Sequence, residues 1–203
     1  MAYRRTPAVQ ERLNSMRTRL IDSAIGLVAQ HGYGGCSISA VAADAGVGTG
    51  TVYRHFSNKG ELFAEVFRIV CSREVAAAAN AANATRADGG PCITAVSASV
   101  QTFADRALRA PTLAYALLIE PVDPQVDTER LLFRESFRDS LAVAIAEAAD
   151  AGEIPAQDAT VTAACIVGAI GEALILPLAR GHADDTVVPT LLTFTLRSLG
   201  SPT

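Results

Sequence analysis

The stretch Ser37–Leu62, SISAVAADAGVGTGTVYRHFSNKGEL, leaves the chain few ways to fold. Ser37 suits the start of a helix, because its hydroxyl accepts a bond from a free backbone N–H one turn on. Ile38, Val41, Ala42 and Ala45 then recur at spacings of three and four, which makes one apolar face. Gly46 ends that helix, since a C-terminal cap often needs the left-handed backbone that glycine adopts without strain. Val47 turns back toward the core. Gly48 and Thr49 open a second, short helix whose buried side is Val52 and Phe56. The opposite side is then fixed as Thr49, Gly50, Thr51, Tyr53, Arg54 and His55.

That outer face has the chemistry of a surface for nucleic acid. Glycine and threonine at a helix start let the backbone approach a phosphate, and the free N–H groups there favour anions. Tyr53 and His55 offer hydrogen bonds, Arg54 can reach a phosphate or a guanine edge, and Lys59 follows at a position suited to a phosphate. Ser37 and Ser39, at the start of the first helix, complete the candidate DNA-binding set. A helix-turn-helix lays the start of its second helix in the major groove of DNA. The segment GVGTGTVYRHFSNKGEL, with its AGV turn, the G-T-hydrophobic-Y-x-H-F run and the N-K-x-E-L that follows, resembles the recognition segment of the tetracycline-repressor (TetR) family of bacterial one-component regulators. The resemblance covers roughly Arg19 to Phe67. Two departures stand out: Cys36 where the family often has threonine, and Gly60 where it often has an acid. Beyond Phe67 the likeness is one of length and helical character only. The resemblance implies a body that holds a small-molecule pocket and last two helices that form a homodimer.

A net charge of −4 at first argues against nucleic acid, but its distribution reverses the argument. Residues 1–70 hold eight Arg and Lys against five Asp and Glu, whereas residues 71–203 hold nine against sixteen. An acidic bulk with a basic head suits a protein that meets DNA at one end. Cys36, Cys71, Cys92 and Cys165 form no CxxC pair and have no clustered histidines, so no zinc site, no other metal site and no cofactor is expected. Unpaired cysteines fit a reducing cytoplasm. Met1 to about Pro7 reads as a basic arm, and the N-terminus lacks the apolar run of a signal peptide. Ala163–Ala179 is the most apolar stretch; two glycines, Glu172 and Pro177 interrupt it, and it reads as a buried helix, with no membrane span expected.

Helical periodicity continues through the rest of the chain, and no strand-like alternation of any length appears. A first helix runs from about Val9 to Gln30, with Leu20, Ala24, Leu27 and Val28 inward. A fourth begins after Lys59 and carries Leu62, Phe63, Val66, Phe67 and Val70 inward to about Thr85. Asp88-Gly-Gly-Pro91 is the clearest break. Then come a helix with Phe103 inward, a short one opened by Pro111, and a long one from about Val126 to Ala151 with Leu132, Phe133, Phe137, Leu141 and Ile145 inward. Two more run over about Asp158–Leu178 and Thr186–Leu199. The expectation is an all-α fold of about nine helices: a helix-turn-helix DNA-binding domain over 1–70 and a helical ligand-binding and dimerisation domain over 71–203.

Within the body, Phe103, Tyr115, Phe133 and Phe137 are candidate lining for a cavity, with Arg134 and Glu172 as candidate polar groups. Arg130, Arg134 and Arg138 share one helix face, either as a solvated face paired with Asp127 and Glu135 or as a grip on an anion. Glu172, set in an apolar run, needs a partner if buried, at a subunit contact or on a ligand. Gly46, Gly48 and Gly50 lack the strand and spacing of a dinucleotide loop, and no catalytic constellation is visible. The leading reading is a homodimeric repressor on a palindromic operator, released by a small-molecule effector. Two others stay open: a small helical enzyme or carrier using the body pocket, and a DNA-binding protein that answers to no ligand.

Overall fold

A computed structural model describes residues 7–200, in which every regular element is a helix. The basic arm expected over the first residues lies outside the described range, except that Pro7 opens the first helix. In order, the described residues form α1 (Pro7–His31), α2 (Ile38–Asp44), α3 (Thr49–Tyr53), α4 (Lys59–Ala87), α5 (Cys92–Arg109), α6 (Pro111–Leu118), α7 (Pro124–Asp150), α8 (Ala159–Arg180) and α9 (Val187–Ser198). The first three make a small head with the start of α4; α5 to α9 and the rest of α4 make the body.

The element ends follow from local chemistry. Ser37 Oγ caps α2 by accepting from Ala40 N at 3.1 Å. At the other end Gly46 takes φ +66°, its N–H reaches Ala43 O and Val47 N–H reaches Ala42 O. This pair of bonds satisfies carbonyls that the helix leaves open, and it reverses the chain within two residues. Asn58 caps α4 through Glu61 N (2.8 Å), while Glu61 in turn accepts from Ser57 N at 2.6 Å. The start of α5 is capped from a distance: Glu153, in the α7–α8 loop, accepts from Cys92 N and Ile93 N at 3.0 and 2.8 Å. Those backbone bonds hold its carboxyl below the usual glutamate range.

One apolar core runs through head and body, from Leu20 and Val28 of α1 through Phe63 and Phe67 of α4 to Leu141 and Ile145 of α7 and Leu199. The inward stripes expected for α1, α4 and α7 are present, with two corrections. Leu132 is 49% exposed. The α7 stripe runs Phe133, Phe137, Leu141 and Ile145 at strict fourth positions, which turns Leu132 outward by about 100° into a groove beside α4. The Ala163–Ala179 helix is buried on one side only. Ala163, Ile166, Ile170, Leu174 and Leu178 face the core, but Val161, Ala164, Cys165, Gly168, Glu172 and Leu176 lie open along the other face. Glu172 is therefore exposed and not a buried carboxylate; it sits opposite the stripe that packs inward. By length and composition α8 could also cross a membrane, with a mean hydropathy of 2.0 over its most apolar window.

Candidate nucleic-acid interface and its link to the body

The candidate face is presented as the sequence suggests. Val52 and Phe56 are buried, while Thr49, Gly50, Tyr53 and Arg54 are exposed and Thr51 and His55 half-buried. Tyr53 leaves 55% of its surface open, which is costly for an aromatic ring without a partner. Arg54 folds back to donate to Thr51 Oγ1 at 3.0 Å, and Ser37 and Ser39 share a hydroxyl contact of 2.9 Å at the start of α2. Burial, and then the charges of Arg17 and Arg54, push the His55 imidazole below its ordinary pKa. Free of DNA it is a neutral hydrogen-bonding group at neutral pH.

The support beneath this face was not visible in the sequence. Arg17 of α1 donates to His55 O at 2.7 Å, pairs with Glu65 of α4 and lies over the Phe56 ring at 4.2 Å. One guanidinium thus ties α1, the end of α3 and α4 together. Lys59 also has contacts within the protein. Its ammonium rests over the Tyr33 ring at 4.2 Å and donates to Tyr33 O at 3.3 Å, so it is half-buried beside the turn after α1.

Tyr33 is also where the head meets the body. Its ring packs edge-on against Phe63 at 5.1 Å and Phe67 at 6.3 Å. Glu120, just past α6, accepts from Tyr33 N at 2.8 Å and Gly34 N at 2.7 Å, and the Tyr33 hydroxyl donates to Asp123. Burial and then that carboxylate push the phenol well above its usual pKa, so it stays a donor. Gly32 takes φ +70°, which favours glycine, and a Cβ on Gly32 or Gly34 would lie 2.9 Å from the Glu120 carboxylate, which would have to shift. Gly60 makes a second contact of the same kind, since a Cβ there would lie 2.6 Å from Gln125 Oε1 of α7.

The far end of this joint is anchored by Arg130 of α7. Its guanidinium donates to the carbonyls of Leu117, Ala116 and Glu120 at 2.8, 3.2 and 2.7 Å, so it caps the end of α6. Its weak pairing with Asp127 at 3.4 Å, and that of Arg138 with Glu135, match the expected i,i+3 pairs. The shared face of Arg130, Arg134 and Arg138 is nevertheless not a grip on an anion: Arg130 is committed to α6, Arg138 to Glu135 and Asp139, and Arg134 is exposed.

Directly behind α6 lies a small apolar cavity of about 40 Å³, walled by Val70, Phe103, Leu113, Leu117, Leu118 and Phe133 among others, with the Glu74–Arg106 pair (2.5 Å) at its edge. Of the six proposed ligand residues, Phe103 and Phe133 line it and Phe137 packs behind Phe103 at 4.7 Å. Tyr115, Arg134 and Glu172 do not. Arg134 follows Phe133 round to the solvent side of α7, and Glu172 lies in an open groove of about 550 Å³ with Thr186, Thr190 and Phe194 between α8 and α9. Among the described residues no group of three His, Cys, Asp or Glu side chains is placed to hold a metal ion.

Comparison with known proteins agrees with this arrangement. Residues 20–66 match the family described as bacterial regulatory proteins, tetR family. Over 50 residues the chain is 36% identical to the fatty acid metabolism regulator protein of Bacillus subtilis (strain 168), a match that covers 25% of this chain and 26% of that protein. The match thus spans about a quarter of the curated relative's length. The whole fold is similar to that of the fatty acid degradation regulator FadR from Bacillus halodurans (TM-score 0.74, 18% identity, 95% of this chain and 96% of that one). It is equally similar to FadR from Bacillus subtilis in complex with stearoyl-CoA (TM-score 0.74, 18% identity, 89% and 98%). RolR in complex with resorcinol follows at TM-score 0.72 and 18% identity, over 95% and 91%. At that identity the structures establish the fold, while the head carries the family's own sequence. Residues 20–66 thus carry the sequence of the bacterial regulatory proteins, tetR family, within a chain whose whole fold is similar to that of the solved regulators.

Proposed function

We propose that this regulator is a homodimeric, cytoplasmic repressor that binds a palindromic operator and leaves it when a small apolar molecule enters the body. The observation that carries the reading is the joint at Glu120. The helix whose Leu113, Leu117 and Leu118 wall the cavity ends in the carboxylate that holds Tyr33 and Gly34 of the head. A guest that pushes α6 outward moves the head with it. An effector shifts such an equilibrium only by its preference between the two states, and a change from mostly bound to mostly free needs about 5 kcal/mol, shared between two subunits. Similar folds are named for complexes with stearoyl-CoA and resorcinol, which supports a body that takes up small molecules.

On this reading Thr49, Gly50, Thr51, Tyr53, Arg54 and His55 face the major groove, and Ser37, Ser39 and Lys59 flank it. Residues 1–70 serve as the DNA-binding domain and residues 71–203 as the ligand-binding and dimerisation domain. The dimer forms through the open face of α8 and through α9, where Val161, Leu176 and Phe194 are each more than half exposed and Gly168 permits close helix approach. Glu172 then lies at the subunit contact. The two recognition helices would sit one turn of DNA apart, about 34 Å. The test is footprinting on the DNA beside the gene, repeated with each compound that raises the melting temperature. A symmetric footprint that fades over the concentration range of stabilisation is expected. Stabilising compounds that all leave the footprint intact would sink the repressor-release reading.

A further inference from the structure

Two empty spaces in the body share one wall. The first is the small, partly open cavity of about 40 Å³ behind α6. The second is an open groove of about 340 Å³ between α4 and α7, lined by Arg68, Cys71, Ser72, Val75, Leu132 and Ser136. Phe133 lines both. It is 7% exposed, with its ring stacked on Phe137 at 6.3 Å and tilted against Phe103 at 6.0 Å.

Neither space is a ligand site by itself. An apolar cavity that takes up benzene measures about 150 Å³, several times the smaller one. The groove is too open to bury most of a small molecule, as real pockets do. Phe133 separates them with one side chain, and a phenylalanine in a helix has two accessible χ1 wells. A swing between them would join the spaces into one narrow channel that opens on the α4–α7 surface. Its inner end is apolar and slim. Its mouth carries polar groups: the outer nitrogen Nη1 of Arg68, the Glu129 carboxylate that holds Arg68 Nε and Nη2, the Ser72 hydroxyl, and the Ser136 hydroxyl, which donates to Leu132 O and still has room to accept. Leu132, turned half outward, adds apolar surface between the two ends.

Resting on the reading of the body as an effector site, we propose that cavity and groove are two ends of one site for a straight-chain acyl compound. Phe133 is the gate that sets the tail length admitted. The tail passes Phe133 toward Phe103 and Leu117, and the acyl oxygen stays in the groove beside Arg68, Ser72 and Ser136. A slim flexible chain fits this channel where a rigid ring does not. The head can be a free carboxylate or a thioester, which share the acyl oxygen.

The experiment titrates full-length protein with octanoate, dodecanoate and hexadecanoate and with their coenzyme A thioesters. Binding is read calorimetrically in the parent and in Phe133→Ala, Phe133→Leu and Phe133→Trp. Operator binding and the unliganded melting temperature report that each variant is folded, and the leucine and tryptophan variants carry the test if alanine does not fold. The parent should bind at least one chain length. Alanine and leucine should move the preference toward the longest chain, and tryptophan should weaken that chain by about tenfold or more while affecting octanoate less. Whichever head series binds more tightly identifies the head. An unchanged length preference across the variants overturns the gate and leaves effector binding standing. Failure of every acyl compound to bind, while another molecule weakens operator binding, overturns the acyl assignment alone. If no compound binds and operator affinity responds to nothing, both readings fall.

Discussion

Arg17 and Lys59 show that charged side chains near the candidate DNA-facing surface also hold the fold together. Arg17 fixes the end of α3 through His55 O and the Phe56 ring, which sets the direction of Tyr53 without contact to a ligand. Lys59 is stacked on Tyr33, so its charge reaches a phosphate only from the edge of the face. These placements separate two substitutions that the sequence would treat alike. Tyr53→Ala removes an exposed group and should leave the melting temperature unchanged while operator affinity falls by about 1–3 kcal/mol per subunit, measured by fluorescence anisotropy. Lys59→Ala should lower the dependence of affinity on salt by about one ion per subunit and also lower the melting temperature, because it removes the cation over Tyr33. A salt slope equal to that of the parent would show that Lys59 serves the fold alone.

At the scale of elements, the decisive joint links the turn after α1 to the end of α6. Glu120→Ala should leave effector binding in place but reduce the effect of the effector on operator affinity by about tenfold, equivalent to about 1.4 kcal/mol of lost coupling. Glu120→Gln, which keeps the shape and loses the charge-assisted bonds, should fall between. An undiminished response in the alanine variant would place the coupling elsewhere. The helices themselves were legible: the caps at Ser37 and Asn58, the glycine at 46 and the fourth-residue stripes of α4 and α7 are local signals. The joint was not, because Tyr33 and Glu120 lie 87 residues apart and no periodicity connects them. Two clues did exist, a lone aromatic set among Gly32, Gly34 and Gly35, and two acids, Glu120 and Asp123, framing a proline. Arg130 was misleading for the same reason, since its i,i+3 partner is visible in sequence and its three carbonyl acceptors on α6 are not.

For the whole molecule, the open faces of α8 and α9 expose Val161, Leu176 and Phe194, each by more than half, and a contiguous apolar surface of this kind marks an interaction site. Light scattering at micromolar concentration should give a dimer with an interface of about 2,000 Å² or more. The double substitution Leu176→Glu and Phe194→Glu should give a folded monomer with much weaker operator binding; a dimer that survives it would move the interface to another face. The open side of α8 could not be assigned from sequence, because apolarity specifies burial without saying whether the covering surface belongs to the same chain. There remains the path of α4, which runs unbroken from Lys59 to Ala87 across residue 70, inside a core continuous from Leu20 to Leu199. The head therefore has no boundary along which to melt by itself. Heat should dissolve both parts in one cooperative step. A molecule that tightens the body then also protects α2 and α3 from unfolding, even as, on the proposed reading, it turns them away from DNA.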